Sequence, residues 1–337
     1  MLFDRKPTPL RVGFFLPAYR SMPPRPIRHF TKPAIDFQQQ LQKLQARGLV
    51  VANEPRALRY LANISYYRLS GYWGSFLVPG TSRFEPGTTL DDLLHRYQFD
   101  KQLRLLCLEA IERLEISFRT QLIYHITRYT GDNNWYEQAR FFKRSTPAEQ
   151  AASTRLLSTI RGELDRAKSK TFIADYYRFY DQPRNPPAWM VLELLSFGTL
   201  YNLFNQFVDT TPKLAIANHF HLALRVFDSW MQSINGVRNK CAHHDRLWDI
   251  AMKPMLSNQR GHAGYWLTES NVTAINTKMY YTLSIFNFLM VQVSQSSSFG
   301  RRVVALLHEY DMLTLGLHRQ YMGFPAGWDQ EIMWLEL

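Results

Sequence analysis

The chain has 337 residues, of which 46% are hydrophobic and 14% aromatic, and this content excludes an intrinsically disordered protein. Its formal net charge of +12 favours a polyanionic partner such as nucleic acid. Neither Cys107 nor Cys241 lies in a Cys-x-x-Cys pair, so the sequence predicts no disulfide framework and no cysteine-based zinc site. Because no charge-free apolar run approaches membrane-spanning length and the first residues lack the apolar stretch of a signal peptide, we expect a cytoplasmic protein without a membrane span.

Proline and arginine are frequent in the first 28 residues, which show little periodicity. We therefore expect a disordered leader over residues 1–28, with Met22 as an alternative start. Helical periodicity begins near Ile35, and a second helix follows Glu54-Pro55. These patterns predict an N-terminal helical module over residues 29–88.

Helical patterns continue through the remainder of the chain, whereas strand patterns are scarce. The segment Thr88–Asp92 has the composition of a helix N-terminus, and a long helix is predicted from Leu90 to Tyr129, ending before Gly131. We predict an all-α fold with a helical core over 89–296 and a C-terminal helical segment and tail over 297–337. Further helices are predicted at 147–168, at 189–207 and after Thr211-Pro212, followed by a helix that carries Arg238 and another at 268–295.

The segment Arg238–Trp248 carries the pattern that points most directly to chemistry. Asn239 and His243 are four residues apart, so a helix places them on one face, and Arg238 lies directly beside them. A cation, an orienting amide and an imidazole that exchanges protons suit phosphodiester cleavage without a metal. His244 is the alternative histidine, and Lys240 and Arg246 are candidate RNA contacts.

The spacing alone is not specific, because Arg119 with His125 also fits it. On the long helix, Glu115 and Arg119 are four residues apart and are expected to pair. His125 leans toward the apolar face, where a satisfied core histidine is the more common outcome. The alternative is that Glu115, Arg119 and His125 support the site around Arg238.

A second block, Tyr66–Trp73, interleaves aromatic and basic residues. Such interleaving suits base stacking and phosphate contact, which predicts RNA-binding roles for Tyr66, Tyr67, Arg68 and Tyr72. An aromatic helix end packed into the core is the competing interpretation. His219 and His221 are only two residues apart and have no ordered carboxylate spacing around them, so we predict no metal site and no cofactor.

Several blocks, in this order along the chain, resemble the Abi family, the abortive-infection proteins of the AbiD/AbiF type. The similarity extends from about Phe30 to the C-terminus, and the Tyr-Tyr-Arg-Leu-Ser-Gly-Tyr block and the Gly-Phe-Pro ending are its most specific parts. The blocks that carry it are Thr31-Lys32-Pro33, Arg47-Gly48-Leu49, Ile64–Tyr72, Arg119-Thr120, Arg238-Asn239 with His243-His244, and Met322–Pro325 with Trp328.

The resemblance implies a bacterial role in anti-phage defence and a helical core similar to HEPN domains. In HEPN ribonucleases an Arg-x(4–6)-His signature, often with Asn after the Arg, meets a second copy to form one metal-independent site. Carried over, Arg238, Asn239 and His243 match that signature, and Arg119 with His125 match a second pattern. The resemblance also implies a homodimer and a small structured RNA as a neutralising or guide-like partner.

These inferences predict a toxin-like endoribonuclease in which His243 exchanges a proton with the ribose 2′-OH and Arg238 stabilises the phosphoryl charge. An alternative is a non-catalytic RNA-binding module that senses phage or binds a small structured RNA. A third interpretation treats Arg238, Asn239 and His243 as a structural network between helices.

Overall fold

The computed structural model describes residues 31–253, 255–256, 266–267, 275–294, 296–310 and 321–335. The expected leader over 1–28 and the first part of the helix predicted at 268–295 lie outside the described residues. Among those described, helices alternate with short turns, and the β-pairing consists of isolated bridges. The prediction of an all-α fold is therefore confirmed.

The helices differ widely in length, from a single turn to 41 residues. Short 3₁₀ turns occupy Gly74–Phe76, Trp135–Glu137, Ala139–Phe141, Leu192–Leu194 and Trp328–Gln330. The α-helices are α1 Phe37–Ala46, α2 Glu54–Ile64, α3 Tyr66–Ser70, α4 Leu90–Thr130, α5 Pro147–Arg166, α6 Thr171–Phe179, α7 Ala188–Val191, α8 Phe197–Gln206, α9 Thr211–His219, α10 Leu224–Ala242, α11 Met279–Val293, α12 Phe299–Glu309 and α13 Ile332–Leu335.

Helix α4 is the axis of the fold and packs against α8, α9, α10, α11 and α12. Its start is fixed by a capping box in which Thr89 and Asp92 exchange hydrogen bonds, and its end by Gly131 in the left-handed conformation (φ 65°). At 1.5 Å per residue, its 41 residues span about 60 Å. Helix α4 therefore contacts most of the helices that form the larger core. Its bounds agree with the helix that the sequence predicts from Leu90 to Tyr129, so that prediction is confirmed.

The buried apolar side chains form two separate clusters. The smaller cluster joins α1, α2 and α3 to the first turns of α4, where Leu90, Leu93 and Leu94 complete it. The larger cluster contains the remainder of α4 together with α5 to α13. Phe299, Trp328 and Trp334 from the C-terminal segment belong to that larger core rather than to a core of their own.

The single helix predicted over 189–207 is wrong. The chain instead forms α7, a 3₁₀ turn and then α8, with Leu195 in an extended conformation between them. Ser196 ends the irregular stretch because its hydroxyl accepts a hydrogen bond from the Thr199 amide (3.4 Å) and thereby caps α8. The break leaves Trp189 48% exposed, although the sequence places it in an apolar run.

Candidate functional site

Helix α10 is amphipathic, and its two faces serve different purposes. Its apolar side, which includes Phe227, Trp230 and Ile234, is buried against α4, α8, α9 and α11. Its other side carries a stripe of polar residues that recurs every three or four positions along the helix. The members of this stripe are Gln232, Asn235, Gly236, Asn239, Lys240 and His243.

The end of α10 brings the predicted residues close together. The guanidinium of Arg238 donates a hydrogen bond to the side-chain oxygen of Asn239 (Nη1 to Oδ1, 3.3 Å). The amide of His243 still donates to the Asn239 carbonyl (3.0 Å), so the helical register continues through the C-cap residue. Asn239 and His243 therefore follow one another by a single turn, and both side chains are exposed.

Arg238 projects into a groove of about 590 Å³ between α4 and α10. The groove is rich in charge, because Glu109, Glu112 and Glu115 line it beside Arg119 and Arg238. Burial raises the pKa of Glu115, and the positive charges of Arg119 and Arg238 oppose that rise. A half-buried carboxyl group thus lies within electrostatic reach of the Arg238 guanidinium and helps to hold it at the groove wall.

Arg119 and His125 do not come together. The guanidinium of Arg119 contacts Glu115 (2.8 Å), Glu193 (3.1 Å) and the Leu195 carbonyl (3.4 Å), so it joins α4 to the turn before α8. His125 lies six residues further along α4, about 9 Å along its axis, and faces His219 of α9. Burial lowers the pKa of His125, and proximity to His219 lowers it further.

A Schellman turn ends α10 and contains a histidine where glycine is usual. The amide of His244 donates to the Cys241 carbonyl (3.1 Å), and that of Asp245 donates to the Lys240 carbonyl (2.8 Å). His244 has φ 59°, in the left-handed region that side chains other than glycine disfavour. The turn sends the following residues back along α4 and leaves the His244 side chain exposed.

Asp100 of α4 anchors the segment that follows the turn. Its fully buried carboxylate accepts hydrogen bonds from the backbone amides of Leu247 (2.9 Å) and Trp248 (2.8 Å), and from the hydroxyl of Tyr72 (2.8 Å). Arg104, one turn further along α4, forms an ion pair with the same carboxylate. Burial raises the pKa of Asp100, and these four donors oppose the rise.

Residues of α3 and the adjoining turn hold the same segment from the other side. Arg68 donates to the His244 carbonyl (2.6 Å), and Arg246 donates to the Gly71 carbonyl. Arg96 of α4 stacks over the Trp248 ring, with its guanidinium carbon 4.4 Å from the ring centroid. The end of α10 is consequently fixed by contacts to both the N-terminal helices and α4.

The Tyr66–Trp73 block divides into a packed part and an exposed part. Tyr72 is only 2% exposed, and Tyr66 packs edge-on against Trp73 (5.2 Å between ring centroids). Tyr67 is 88% exposed and lies next to Arg68, which is half-buried and donates to the His244 carbonyl. Tyr72 therefore has no face available for a nucleotide base, whereas the ring of Tyr67 faces solvent.

Sequence reasoning missed Asp100 and Arg104, which position the site from a distance. A signal was present, because both charged residues fall in the same stretch of α4 as the apolar Phe99, Leu103 and Cys107. A charged pair four residues apart in such surroundings indicates a buried ion pair, since an unpaired charge there would be costly.

Within the described parts of the chain, no group of three or more histidine, cysteine, aspartate or glutamate residues is placed to hold a metal ion. Similarly, none of the helices described is both long and apolar enough to cross a membrane.

The fold and the site define an all-α protein whose central helices present an arginine, an amide and a histidine at one helix end. A family model described as Abi-like protein matches residues 59–249, and the chain belongs to that family. Membership suggests a role in abortive infection, a form of anti-phage defence. The match begins before α3 and ends just after Trp248, so it includes both the helix end and its anchors. No curated protein and no solved structure matches the chain.

Proposed function

We propose that this protein is a metal-independent endoribonuclease of the HEPN type that acts in anti-phage defence. The observation that carries the proposal is the proximity of Arg238, Asn239 and His243 at the C-terminal end of α10. The Arg238–Asn239 contact of 3.3 Å and the one-turn spacing from Asn239 to His243 support a role for all three groups at one phosphate. The net charge of +12 supports a polyanionic substrate.

Each group has a distinct role in the proposed reaction. The His243 imidazole accepts the proton of a ribose 2′-OH, whose oxygen attacks the adjacent phosphorus while the bond to the 5′ oxygen of the next nucleotide breaks. Arg238 stabilises the charge that grows on the non-bridging oxygens, and Asn239 orients either the phosphate or the imidazole. The leaving oxygen takes up a proton, so the products are a 2′,3′-cyclic phosphate and a 5′-hydroxyl.

A single imidazole does not serve easily as base and acid in the same step, which favours a homodimer with two His243 side chains at one site. Leu105 and Ile116 support this arrangement, because each is 52% exposed on the same side of α4 and Ile116 lines the groove of Arg238. These two exposed apolar side chains, with Glu109 and Glu112 between them, would form part of the contact with a second copy of the chain.

The experiment incubates the purified protein with mixed RNA in the presence of EDTA and compares His243→Ala and Arg238→Ala with the unaltered chain. Removing one acid–base group is expected to lower the cleavage rate by about 10²–10⁴-fold. His221→Ala and Arg225→Ala are matched controls, since one alters the histidine of the equivalent turn after α9 and the other an exposed arginine at the start of α10. Cleavage that stops with the chelator, or that survives both site substitutions, would contradict the proposal.

The second candidate function is that of a non-catalytic RNA-binding module, which senses phage or binds a small structured RNA. The exposure of Tyr67 beside Arg68 favours it, together with the half-buried Lys240, which lines the pocket between α8 and α10. Arg246 is a weaker candidate for an RNA contact, because its guanidinium donates to the Gly71 and Asp249 carbonyls. RNA binding without cleavage, and variants that lose affinity rather than turnover, would select this candidate. Loss of growth arrest that merely follows loss of folded protein would instead indicate a structural network.

A further inference from the structure

A second pocket, of about 380 Å³, lies between α8, α10 and residues 251–253. Polar groups line much of it, including the amides of Asn202, Gln232 and Asn235 and the hydroxyl of Ser233. Lys240 and Lys253 contribute two positive charges, and none of the described residues in the lining carries a carboxylate. The pocket therefore suits an anionic ligand that carries hydrogen-bonding groups, rather than an apolar molecule or a metal cation.

Two buried polar atoms in this lining have no hydrogen-bond partner. Ser233 is 7% exposed, and neither its hydroxyl oxygen nor the side-chain oxygen of Asn235 is paired with any described residue. Both atoms are closed to solvent, and the Asn235 oxygen lies against α8, where a Cβ added at Gly198 would come within 3.3 Å of it. The two residues therefore form the wall of the pocket, and the amides that a ligand can reach are those of Asn202 and Gln232, both of which are exposed.

The pocket lies on the same polar stripe of α10 as Asn239 and His243. Gly236 and His243 are seven residues apart, which corresponds to about 10 Å along the helix axis. Lys240 lines the pocket and directly follows Asn239. A strand whose phosphate lies at His243 can therefore place a neighbouring nucleotide in the pocket.

We propose that this pocket binds one nucleotide of the RNA strand next to the phosphate that is cleaved. The base edge pairs with the exposed amides of Asn202 and Gln232, and Lys240 and Lys253 bind the phosphate. The proposal rests on the proposed function and adds a specificity subsite to it. A free ribonucleotide presents the same chemistry, so the test separates the two sources.

Gly236 offers a way to fill the pocket while preserving the helix. A Cβ added there meets no atom within 4 Å, and replacing a glycine inside a helix favours helix formation. Gly236→Leu therefore fills the pocket, and Gly162→Leu is the matched control, because Gly162 lies inside α5 and does not line the pocket. Thermal unfolding is used to check that both variants are folded.

The measurement uses a labelled single-stranded RNA with the His243→Ala protein, and each ribonucleoside 5′-monophosphate in a separate titration. Gly236→Leu is expected to weaken RNA binding about tenfold or more, equivalent to roughly 1.4 kcal/mol, while Gly162→Leu has no effect. In the protein with His243 intact, Gln232→Ala is expected to change which base is preferred beside the cleaved bond.

The outcomes distinguish this subsite from the nuclease activity. If RNA is cleaved but Gly236→Leu binds and cleaves it like the control, the subsite proposal is overturned and the nuclease proposal stands. If RNA binds through the pocket and is not cleaved by the unaltered protein, the pocket is supported as a nucleotide-binding site, and both the nuclease proposal and the position of the pocket beside a cleaved bond fail. Binding of free monophosphates alone, with RNA binding unaffected by Gly236→Leu, also overturns the subsite.

Discussion

The carboxylate of Asp100 accepts a hydrogen bond from the backbone amide of Trp248 at 2.8 Å, although 148 residues separate the two in sequence. The same carboxylate oxygen accepts from the amide of Leu247, and its other oxygen pairs with Tyr72 and Arg104. Asp100 thus determines where the chain lies immediately after the proposed catalytic histidine.

We expect Asp100→Asn to lower the free energy of unfolding by about 3–5 kcal/mol, because it leaves the buried Arg104 guanidinium without its counter-charge. Chemical denaturation measures the change. Asp91→Asn is the matched control, since its ion pair with Arg56 is exposed and screened by solvent, so its loss is expected to have a much smaller effect. Equal effects of the two substitutions would show that Asp100 does not anchor the segment.

His244→Gly is expected to stabilise the protein by about 1 kcal/mol, because glycine adopts the left-handed conformation at φ 59° without the strain of a side chain. His221→Gly, at φ 55° in the corresponding turn after α9, should behave similarly. Thermal unfolding measures both. If His243 is the reactive histidine, RNA cleavage survives in His244→Gly, whereas a folded but inactive variant assigns the role to His244.

His125→Ala is expected to leave RNA cleavage unchanged, because His125 faces α9 and not the groove of Arg238. Arg119→Met is expected to destabilise the fold by about 1–3 kcal/mol, since it leaves the partly buried Glu115 without its ion pair. Cleavage assays and denaturation on both variants separate the two effects. A loss of cleavage in folded His125→Ala would instead support a second reactive motif in the same chain.

The stability of the protein is expected to fall as the pH drops below about 6.5, the ordinary histidine pKa. Burial lowers the pKa of His125 and of His219 in the folded chain, so the unfolded chain binds protons first. Their contribution is complete above the unfolded value and is lost as the pH falls through the folded values.

Urea denaturation at a series of pH values between 5 and 7.5 measures this dependence. The double substitution His125→Gln and His219→Gln should reduce the loss of unfolding free energy at acid pH. It should leave the stability near neutral pH almost unchanged. If the double variant loses as much stability at acid pH as the unaltered protein, the pH dependence belongs to other groups.

Features that depend on neighbouring residues in sequence could be predicted. The start of α4 at Thr89 and its end at Gly131 follow from capping chemistry within one turn of each residue. The spacing of Asn239 and His243 likewise predicted their common face, because the helical register continues into the C-cap residue.

Features that depend on distant partners could not be predicted in the same way. Tyr72 and Tyr67 occupy one aromatic block, and only the folded chain shows that one hydroxyl reaches Asp100 while the other ring faces solvent. The interruption before α8 depends on Ser196 capping a helix inside an apolar run, where periodicity indicates continuity. Arg119 and His125 share the spacing of the α10 motif, and tertiary packing gives them different partners.

The hydrogen bond from Arg68 to the His244 carbonyl has a consequence for any attempt to divide the protein into fragments. A fragment that begins at Leu90 would retain every proposed reactive group and lose Arg68, Gly71 and Tyr72 together. Asp100 would then lack the hydrogen bond from the Tyr72 hydroxyl. The backbone after α10 would keep its contacts to α4 and lose those to α3 and the adjoining turn. The N-terminal helical region therefore holds the C-terminal end of α10 in place and is not a separable part of the protein.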